Sequence, residues 1–261
     1  HGYVKAKVPR GLRGKEVYLG GSYGSSVLAT GNVMMAAVLA KGTTYIENAA
    51  CEPEVVDLAD FLIKMGAKIK GHGSHLIEVK GVRKLHGAQH SVIPDRIETG
   101  TFMVAGAINP GTDILIRNVN PDHNSALIDK LKLAGVMIKK SKSSIRVKRR
   151  GKLRPVDVTT LPYPGFPTDL QAQMMALMTV TPGISVITEK IYPDRFIHVS
   201  ELNRMGSRIH LEGSSAIVSG VRRLSGAPVM ASDLRASAAL ILAGLAAEGE
   251  TEVHRVYHLD R

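Results

Sequence analysis

The sequence predicts a mixed α/β protein assembled from repeated β-α-β-α-β-β units, because two kinds of segment recur along it. Amphipathic helices end three times on a glycine suited to the left-handed C′ position, followed by a strand, at residues 64–69, 133–138 and 204–209. Strands also begin repeatedly at a glycine. The leading glycines lie 69, 72 and 66 residues apart, so each repeat of about seventy residues is long enough to be a small subdomain. They are Gly42, Gly111, Gly183 and Gly249.

The first repeat is predicted to contain two helices and about four strands. Pro53 suits the first position of its first helix, where a missing N–H has no consequence. Units of this size leave apolar helix faces uncovered, so several should pack around a shared axis. The predicted elements are strands over 43–47, 67–70, 76–80 and around 89–93, and helices over 53–65 and 98–109.

The second helix of each unit is predicted to begin at a polar corner that caps it. In the third unit the cap is Thr168 or Asp169, and an apolar set at helical spacing predicts one buried face. Arg96 and Arg235 stand at two of these helix starts, where the helix dipole disfavours cations. Caps alone do not explain these arginines, so the corners together indicate an anion-binding cluster. The apolar set is Ala172, Met175, Ala176 and Val180, and the other corners are residues 25–26, 98–99 and 232–235.

Composition indicates a globular protein of one or two domains. The longest apolar run, residues 238–247, is far too short to cross a bilayer. The chain has 261 residues and a single cysteine, so it can form no internal disulfide, which is typical of the cytoplasm. We interpret Cys51 as structural and expect a cytoplasmic protein.

The net charge of +11 is concentrated in one stretch. Residues 139–154 carry nine basic side chains and no acidic one, which predicts a strand with its flanking turns. No aromatic residue is interleaved for base stacking. The stretch is best interpreted as a solvated face. A module that binds RNA or an anionic membrane stays open as an alternative of a different class, although we expect neither nucleic acid nor membrane as a partner.

The ten histidines do not predict a metal site. His86 with His90, and His254 with His258, have the four-residue spacing of ligands on one helix face. Neither pair falls on a predicted helix, and on a strand four residues span about 13 Å. We therefore expect no metal.

Six segments in order resemble the enolpyruvyl transferase family. The resemblance implies two domains, each an inside-out α/β barrel of three β-α-β-α-β-β units. Residues 1–93 would be the C-terminal part of the catalytic-loop domain, and residues 94–261 a second domain truncated at its C-terminus. The matching segments are residues 42–54, Pro-Asp-Arg-Ile-Glu-Thr-Gly-Thr at 94–101, Phe-Pro-Thr-Asp at 166–169, 195–199, Ala-Ser-Asp-Leu-Arg-Ala-Ser at 231–237 and 257–261.

The resemblance implies transfer of the enolpyruvyl group of phosphoenolpyruvate to the 3′-hydroxyl of UDP-N-acetylglucosamine, with release of phosphate and no cofactor. This is a step of peptidoglycan synthesis. By motif position Asp169 would be the base that accepts the hydroxyl proton, and Arg261 would grip phosphoenolpyruvate. Asp233 and Arg235 would line the same cavity, with Asp233 handling a proton or orienting a lysine. Supporting electrostatics would come from Arg96, Glu98 and Arg195.

The resemblance places the nucleotide sugar at a glycine-rich loop and at Ile191. The family loop commonly reads Lys-x-Ser-Val-Gly, and here no lysine stands in it. The family's general acid, a cysteine or an aspartate, would lie upstream of His1, so we predict that this chain alone is inactive. A transferase acting on shikimate 3-phosphate stays an alternative, although the residues of segments 166–169 and 231–237 favour the nucleotide sugar as the substrate. The loop residues are Gly20, Gly21, Ser22, Tyr23 and Gly24.

Overall fold

The structure, a computed structural model, describes Lys5 and residues 7–258. The chain divides into two compact units, His1–Ile93 and Pro94–Arg261, and each is described by itself. The assignment of these units to parts of two larger domains stays a prediction.

The first unit is a four-stranded sheet with two helices packed on it. The strand order is β1-β4-β6-β5; β1 is parallel to β4 and the other pairs are antiparallel. Side chains alternate along the sheet, so Ile46 and Ile77 are fully buried against Met34 of the first helix. In chain order the elements are β1 (Glu16–Tyr18), β2 (Gly20–Gly21), β3 (Gly24–Ser25), α1 (Val27–Ala37), β4 (Thr43–Glu47), α2 (Pro53–Lys64), β5 (Lys68–Lys70) and β6 (Leu76–Lys80).

The second unit contains two further sheets of the same kind and short parallel strand pairs. The sheets have the orders β7-β9-β8 and β10-β11-β13-β12, and β14 pairs with β16 as β15 does with β17. Its elements are α3 (Arg96–Ile108), β7 (Asp113–Arg117), α4 (Ser125–Leu133), β8 (Met137–Lys140), β9 (Ser144–Lys148), β10 (Val158–Thr159), α5 (Gln171–Thr179), β11 (Ile184–Thr188), α6 (Val199–Arg204), β12 (Arg208–Glu212), β13 (Ser215–Ser219), β14 (Leu224–Ser225), β15 (Pro228–Met230), α7 (Leu234–Ala246), β16 (Ala247–Glu248) and β17 (Glu252–His254), with 3₁₀ helices at Pro121–Asn124, Thr168–Leu170 and Val256–His258.

The predicted repeat is confirmed in strand pairing and in backbone conformation. In each of three repeats the strand after the leading glycine pairs antiparallel with the last strand of a hairpin, as β4–β6, β7–β9 and β11–β13. The glycines that end the helices, Gly66, Gly135 and Gly206, have φ of +99°, +94° and +87°. Only glycine adopts this conformation without a steric penalty from a Cβ atom. The glycine that the three helix ends share therefore reflects a backbone conformation common to the three repeats.

One predicted strand of the first repeat is wrong, and one predicted helix begins two residues earlier than expected. Residues 89–93 form no strand; the segment is instead held through His90, whose Nε2 lies 2.9 Å from Asp57 Oδ1 of α2. The helix predicted over 98–109 begins at Arg96, because Asp95 caps it by accepting the N–H groups of Ile97 and Glu98 at 2.7 and 3.0 Å. The other elements agree with the prediction to within about two residues.

Helix α5 is buried on every side, so the prediction of a single buried face is wrong. All nine of its residues are buried, including Gln171 and Gln173. It packs against α3 and α7 and against the strands β11 and β13. Three helices therefore fill the interior of this unit while its sheets lie outside them, which leaves the central helix no solvent-facing side.

The basic stretch contains the end of β8, all of β9 and the flanking turns, so it belongs to two strands where one was predicted. Much of its charge is compensated within the chain: Arg146 and Lys148 bond Asp113, and Lys140 bonds Asp122 at 2.9 Å. Arg149 is buried and donates to carbonyls at the end of α3. Within the described residues, no helix is both long and apolar enough to span a membrane.

Candidate functional site

The Phe-Pro-Thr-Asp segment turns into helix α5 through one turn of 3₁₀ helix. Phe166 and Leu170 are buried on either side of the turn and anchor it in the core. The predicted cap is wrong, since Pro167 and Leu170 occupy the cap positions and neither makes a side-chain bond to the helix. The carboxylate of Asp169 instead bonds charged partners from two other elements, and such charge-assisted bonds are about twice as strong as neutral ones.

Two guanidinium groups converge on one oxygen of Asp169. Arg195 Nη2 and Arg235 Nε each lie 3.0 Å from Asp169 Oδ1. Among the described residues, Asp169 Oδ2 has no hydrogen-bond partner. The Asp169 side chain is 33% exposed, so a molecule outside can reach it. One carboxylate oxygen is thus fixed while the other is available.

Opposing effects act on the pKa of Asp169. Burial raises it, but the positive charges of Arg235 and Arg195 and their hydrogen bonds outweigh burial, so the pKa lies below its ordinary value. The carboxylate is therefore ionised at neutral pH, which is the state required of a proton acceptor.

Arg235 reaches Asp169 from the first turn of helix α7. Asp233 caps this helix as predicted, accepting the N–H groups of Arg235 at 2.7 Å and of Ala236 at 2.9 Å. A cation at a helix start is normally unfavourable. Here Asp169 pairs directly with the guanidinium, while the carboxylate of Asp233 caps the backbone N–H groups at the start of the helix. A carboxylate of the chain itself therefore pairs with the misplaced arginine, and the predicted anion-binding cluster stays a prediction.

Arg195 is held by a hydroxyl as well as by Asp169. Its Nη1 donates to Thr168 Oγ1 at 3.0 Å, and the Thr168 hydroxyl donates to Glu189 Oε2 at 2.8 Å. The family resemblance predicts a supporting role for Arg195, but no motif in the sequence points to Glu189. A lone glutamate after a strand carries no pattern that would distinguish it from a solvated one.

His198 is a further buried member of this region that the sequence treated as isolated. It is 1% exposed and stands at the N-cap of α6. Burial lowers its pKa to about 4; Asp233 raises the pKa and Arg195 lowers it further. The imidazole is therefore neutral at pH 7 and adds no third positive charge beside Asp169.

Arg96 lies beside the segment that carries Asp169. It occupies the first position of α3, is buried, and holds its guanidinium carbon 5.6 Å from the centroid of the Tyr163 ring. Arg96 and Pro167 line one small cavity of about 110 Å³. Glu98 is exposed on the same helix turn.

The proposed nucleotide loop lies in the first unit and forms a tight hairpin. Gly20 pairs with Ser25 and Gly21 with Gly24, which leaves Ser22 and an exposed Tyr23 at the turn. Ser26 follows at once and caps α1, accepting the Ala29 N–H at 3.2 Å. The turn therefore leads directly into a capped helix start.

Two other predicted residues belong to the second unit. The backbone N–H of Ile191 donates to Glu189 Oε1 at 2.9 Å, so the same glutamate that bonds Thr168 fixes this loop. Arg261 lies outside the described residues.

Comparison with known proteins decides the family. A family profile described as EPSP synthase (3-phosphoshikimate 1-carboxyvinyltransferase) matches residues 1–261. The chain belongs to this family. The resemblance to enolpyruvyl transferases predicted from six segments is thereby confirmed.

Curated relatives within the family match the whole chain closely. The UDP-N-acetylglucosamine 1-carboxyvinyltransferase 1 of Caldanaerobacter subterraneus subsp. tengcongensis is 58% identical over 261 residues, which is 100% of this chain and 62% of the relative. A UDP-N-acetylglucosamine 1-carboxyvinyltransferase of Xanthobacter autotrophicus is also 58% identical over 261 residues, which is 60% of that relative. The chain thus spans about three fifths of the length of these relatives.

Solved structures of the family confirm the predicted fold class. The enolpyruvyl transferase NikO from Streptomyces tendae superposes with a TM-score of 0.86 at 25% identity, covering 96% of this chain and 61% of that protein. EPSP synthase from Acinetobacter baumannii gives a TM-score of 0.70 at 20% identity, covering 95% of this chain and 60% of that one. The fold is the inside-out α/β architecture of enolpyruvyl transferases.

Cys51 does not have the surroundings of a reactive thiol. Its Sγ lies 3.6 Å from His75 Nδ1. Burial, followed by the charge of Glu52, raises the pKa of the thiol, so it is a poor nucleophile and a poor proton donor near neutral pH. The raised pKa is consistent with the interpretation of Cys51 as a structural cysteine.

Proposed function

We propose that the full-length protein carrying this chain transfers the enolpyruvyl group of phosphoenolpyruvate to the 3′-hydroxyl of UDP-N-acetylglucosamine and releases phosphate. The observation that carries the proposal is the Asp169 carboxylate, fixed through Oδ1 by two guanidinium groups with Oδ2 available. The names of relatives that are 58% identical over the whole chain support the choice of acceptor. The step belongs to peptidoglycan synthesis, and we propose a cytoplasmic location.

The proposed role of Asp169 is that of general base. A sugar hydroxyl is too weak an acid to ionise alone, so its proton must leave as the oxygen bonds to C2 of phosphoenolpyruvate. Oδ2 accepts that proton while an acid, predicted upstream of His1, protonates the methylene carbon. Loss of phosphate from the resulting tetrahedral adduct, together with a proton from the methyl group, then yields the enolpyruvyl ether. Arg195 and Arg235 keep the Asp169 carboxylate ionised and hold it in a fixed orientation.

The remaining predicted residues have binding roles in this proposal. Arg235 and Arg261 supply guanidinium forks for the anionic groups of phosphoenolpyruvate. Besides capping α7, Asp233 handles a proton or orients a lysine. The loop at Ile191 contacts the nucleotide sugar, and the hairpin of residues 20–24 in the first unit stays a predicted nucleotide loop. Arg96, Glu98 and Arg195 support the charge balance. This chain without the remaining length of its relatives stays predicted to be inactive.

A thermal-shift titration of the full-length protein tests the acceptor. UDP-N-acetylglucosamine at about one hundred times its Kd should stabilise the folded state by ~2.7 kcal/mol, a rise of several degrees in Tm. Shikimate 3-phosphate at the same concentration should leave Tm unchanged. Stabilisation by shikimate 3-phosphate alone would replace our proposal with the shikimate reaction.

The charge balance around Asp169 predicts a pH effect. The acid limb of kcat/KM reports the base of the free enzyme, which must be ionised to act. Arg195→Gln removes one of two positive charges that hold the pKa of Asp169 down. The pKa should therefore rise, and the acid limb of kcat/KM should move to higher pH.

Arg146→Gln is the matched control for that measurement. It removes a guanidinium from Asp113, a carboxylate that also lies between two cations but on the surface sheet. Its pH profile should match that of the wild type. Because His198 titrates near pH 4 beside Arg195, the comparison is repeated in a His198→Asn background. An acid limb that stays in place in both backgrounds would contradict the assigned base.

A further inference from the structure

Glu189 is a carboxylate sealed in the interior directly after β11. It is 1% exposed. Its Oε1 accepts the Thr160 hydroxyl and the backbone N–H groups of Ile191 and Tyr192, the last two at 2.9 and 3.0 Å. Its Oε2 accepts the Thr168 hydroxyl at 2.8 Å. A buried charge is tolerated only when its hydrogen-bonding capacity is satisfied, and these four donors satisfy it.

The two oxygens of Glu189 serve different parts of the site. Oε1 holds the backbone of the loop that contains Ile191. Oε2 acts on Thr168, whose hydroxyl has one proton and gives it to the glutamate. The lone pairs of that hydroxyl are therefore directed to Arg195, whose Nη1 lies 3.0 Å away and whose Nη2 bonds Asp169.

We propose that Glu189 is a positioning residue for the transfer reaction. Its Oε2 fixes the direction of the Thr168 hydroxyl, the hydroxyl fixes the guanidinium of Arg195, and the guanidinium holds Oδ1 of Asp169. The base is thus aimed from the core of the unit through a chain of hydrogen bonds. The role rests on the proposed function, because it concerns the same site.

Glu189→Gln in the full-length protein distinguishes this role from one in which Glu189 only stabilises the loop that contains Ile191. Three donors meet at Oε1, so the amide oxygen should occupy that place and the NH₂ group should face Thr168. The hydroxyl must then turn to accept, and its proton is directed at the guanidinium. Loss of one charge-assisted bond predicts a fall in kcat of about 10-fold. The KM for UDP-N-acetylglucosamine should stay within about twofold, because the bonds to Oε1 persist.

A double-mutant cycle tests whether the effect passes through Thr168. Thr168→Val should lower kcat about as much as Glu189→Gln, and the double variant should be no worse than the poorer single one. Thr168→Ser keeps the hydroxyl and should restore most of the activity. Thr188→Val is the matched control: it removes the hydroxyl bond between Thr188 of β11 and Ser215 of β13, which involves none of Glu189, Thr168 and Arg195, and should leave kcat unchanged.

Distinct outcomes separate the possible failures. Unchanged kcat in Glu189→Gln, or kcat losses that multiply in the double variant, would overturn the positioning role while the transferase proposal stands. Equal changes in kcat and KM would mean that Glu189 only stabilises the loop at Ile191, and they would also overturn the positioning role. If Glu189→Gln does not fold, the two Thr168 variants decide. Equal activity of Thr168→Val and Thr168→Ser would then also overturn the positioning role. A wild-type protein that releases no phosphate from both substrates would instead overturn the proposed function.

Discussion

Asp169→Asn in the full-length protein should lower kcat by about 10²- to 10⁴-fold, the usual contribution of a positioned general base. The amide keeps one oxygen for the guanidinium groups of Arg195 and Arg235, so the fold should persist. It cannot accept the hydroxyl proton at the position of Oδ2. Phosphate release under saturating substrates measures the effect, and the KM values should change much less than kcat.

Asp113→Asn is the matched control for that loss. Asp113 also lies between two cations, with Arg146 Nε at 2.7 Å and Lys148 Nζ at 2.6 Å, and their hydrogen bonds, followed by their positive charges, lower its pKa as well. It belongs to a surface sheet distant in sequence from the Phe-Pro-Thr-Asp segment, so kcat should not change. A kcat within tenfold of wild type in Asp169→Asn would exclude Asp169 as the base.

The repeat could be predicted from the sequence because it depends on local constraints on the backbone conformation. A glycine at positive φ is needed wherever a helix of the unit ends, and Gly66, Gly135 and Gly206 meet that need. Such constraints act within a few residues, so one chain displays them. The segment 89–93 had an extended pattern but no ladder, because pairing depends on a partner strand that local sequence does not report.

The site was predictable only as far as its parts are local. Asp233 caps its own helix and was found as a cap. Asp169 had the same local appearance, yet its carboxylate bonds Arg195 and Arg235, which are 26 and 66 residues away. The carboxylate of Asp169 therefore bonds these tertiary partners instead of the N–H groups at the start of its own helix. Glu189 was missed for the same reason, since its role depends on residues brought to it by the fold.

The all-round burial of α5 also depends on its neighbours. Apolar spacing predicts a buried face, but Gln171 and Gln173 on the other side read as solvent-facing. The structure buries both, and the side chain of Gln173 donates to Thr101 of α3 at 3.1 Å. Polar residues in a helix report exposure only when no second helix covers them.

Gly220→Ala should destabilise the second unit strongly, because the repeat leaves no room for a side chain there. A Cβ at Gly220 would lie 1.6 Å from the carbonyl oxygen of Thr181, just beyond the end of α5. The N–H groups of Gly220 and Val221 bond Gly183 and Thr179 at 2.9 and 2.7 Å, so the strand end cannot move away without breaking the ladder. We expect a loss of about 3 kcal/mol or more in the free energy of unfolding.

The same clash recurs in the first unit, which makes the prediction a test of the repeat itself. A Cβ at Gly81 would lie 1.6 Å from the carbonyl oxygen of Ala40, and the Gly81 N–H bonds its leading glycine Gly42 at 2.9 Å as Gly220 bonds Gly183. Gly81→Ala should therefore be comparably destabilising. Gly151→Ala is the control, since its Cβ would enter open space, and its unfolding free energy should change by no more than about 1 kcal/mol. Denaturant unfolding of the three variants decides: a Gly220→Ala protein as stable as Gly151→Ala would mean that the helix end and the strand do not approach this closely.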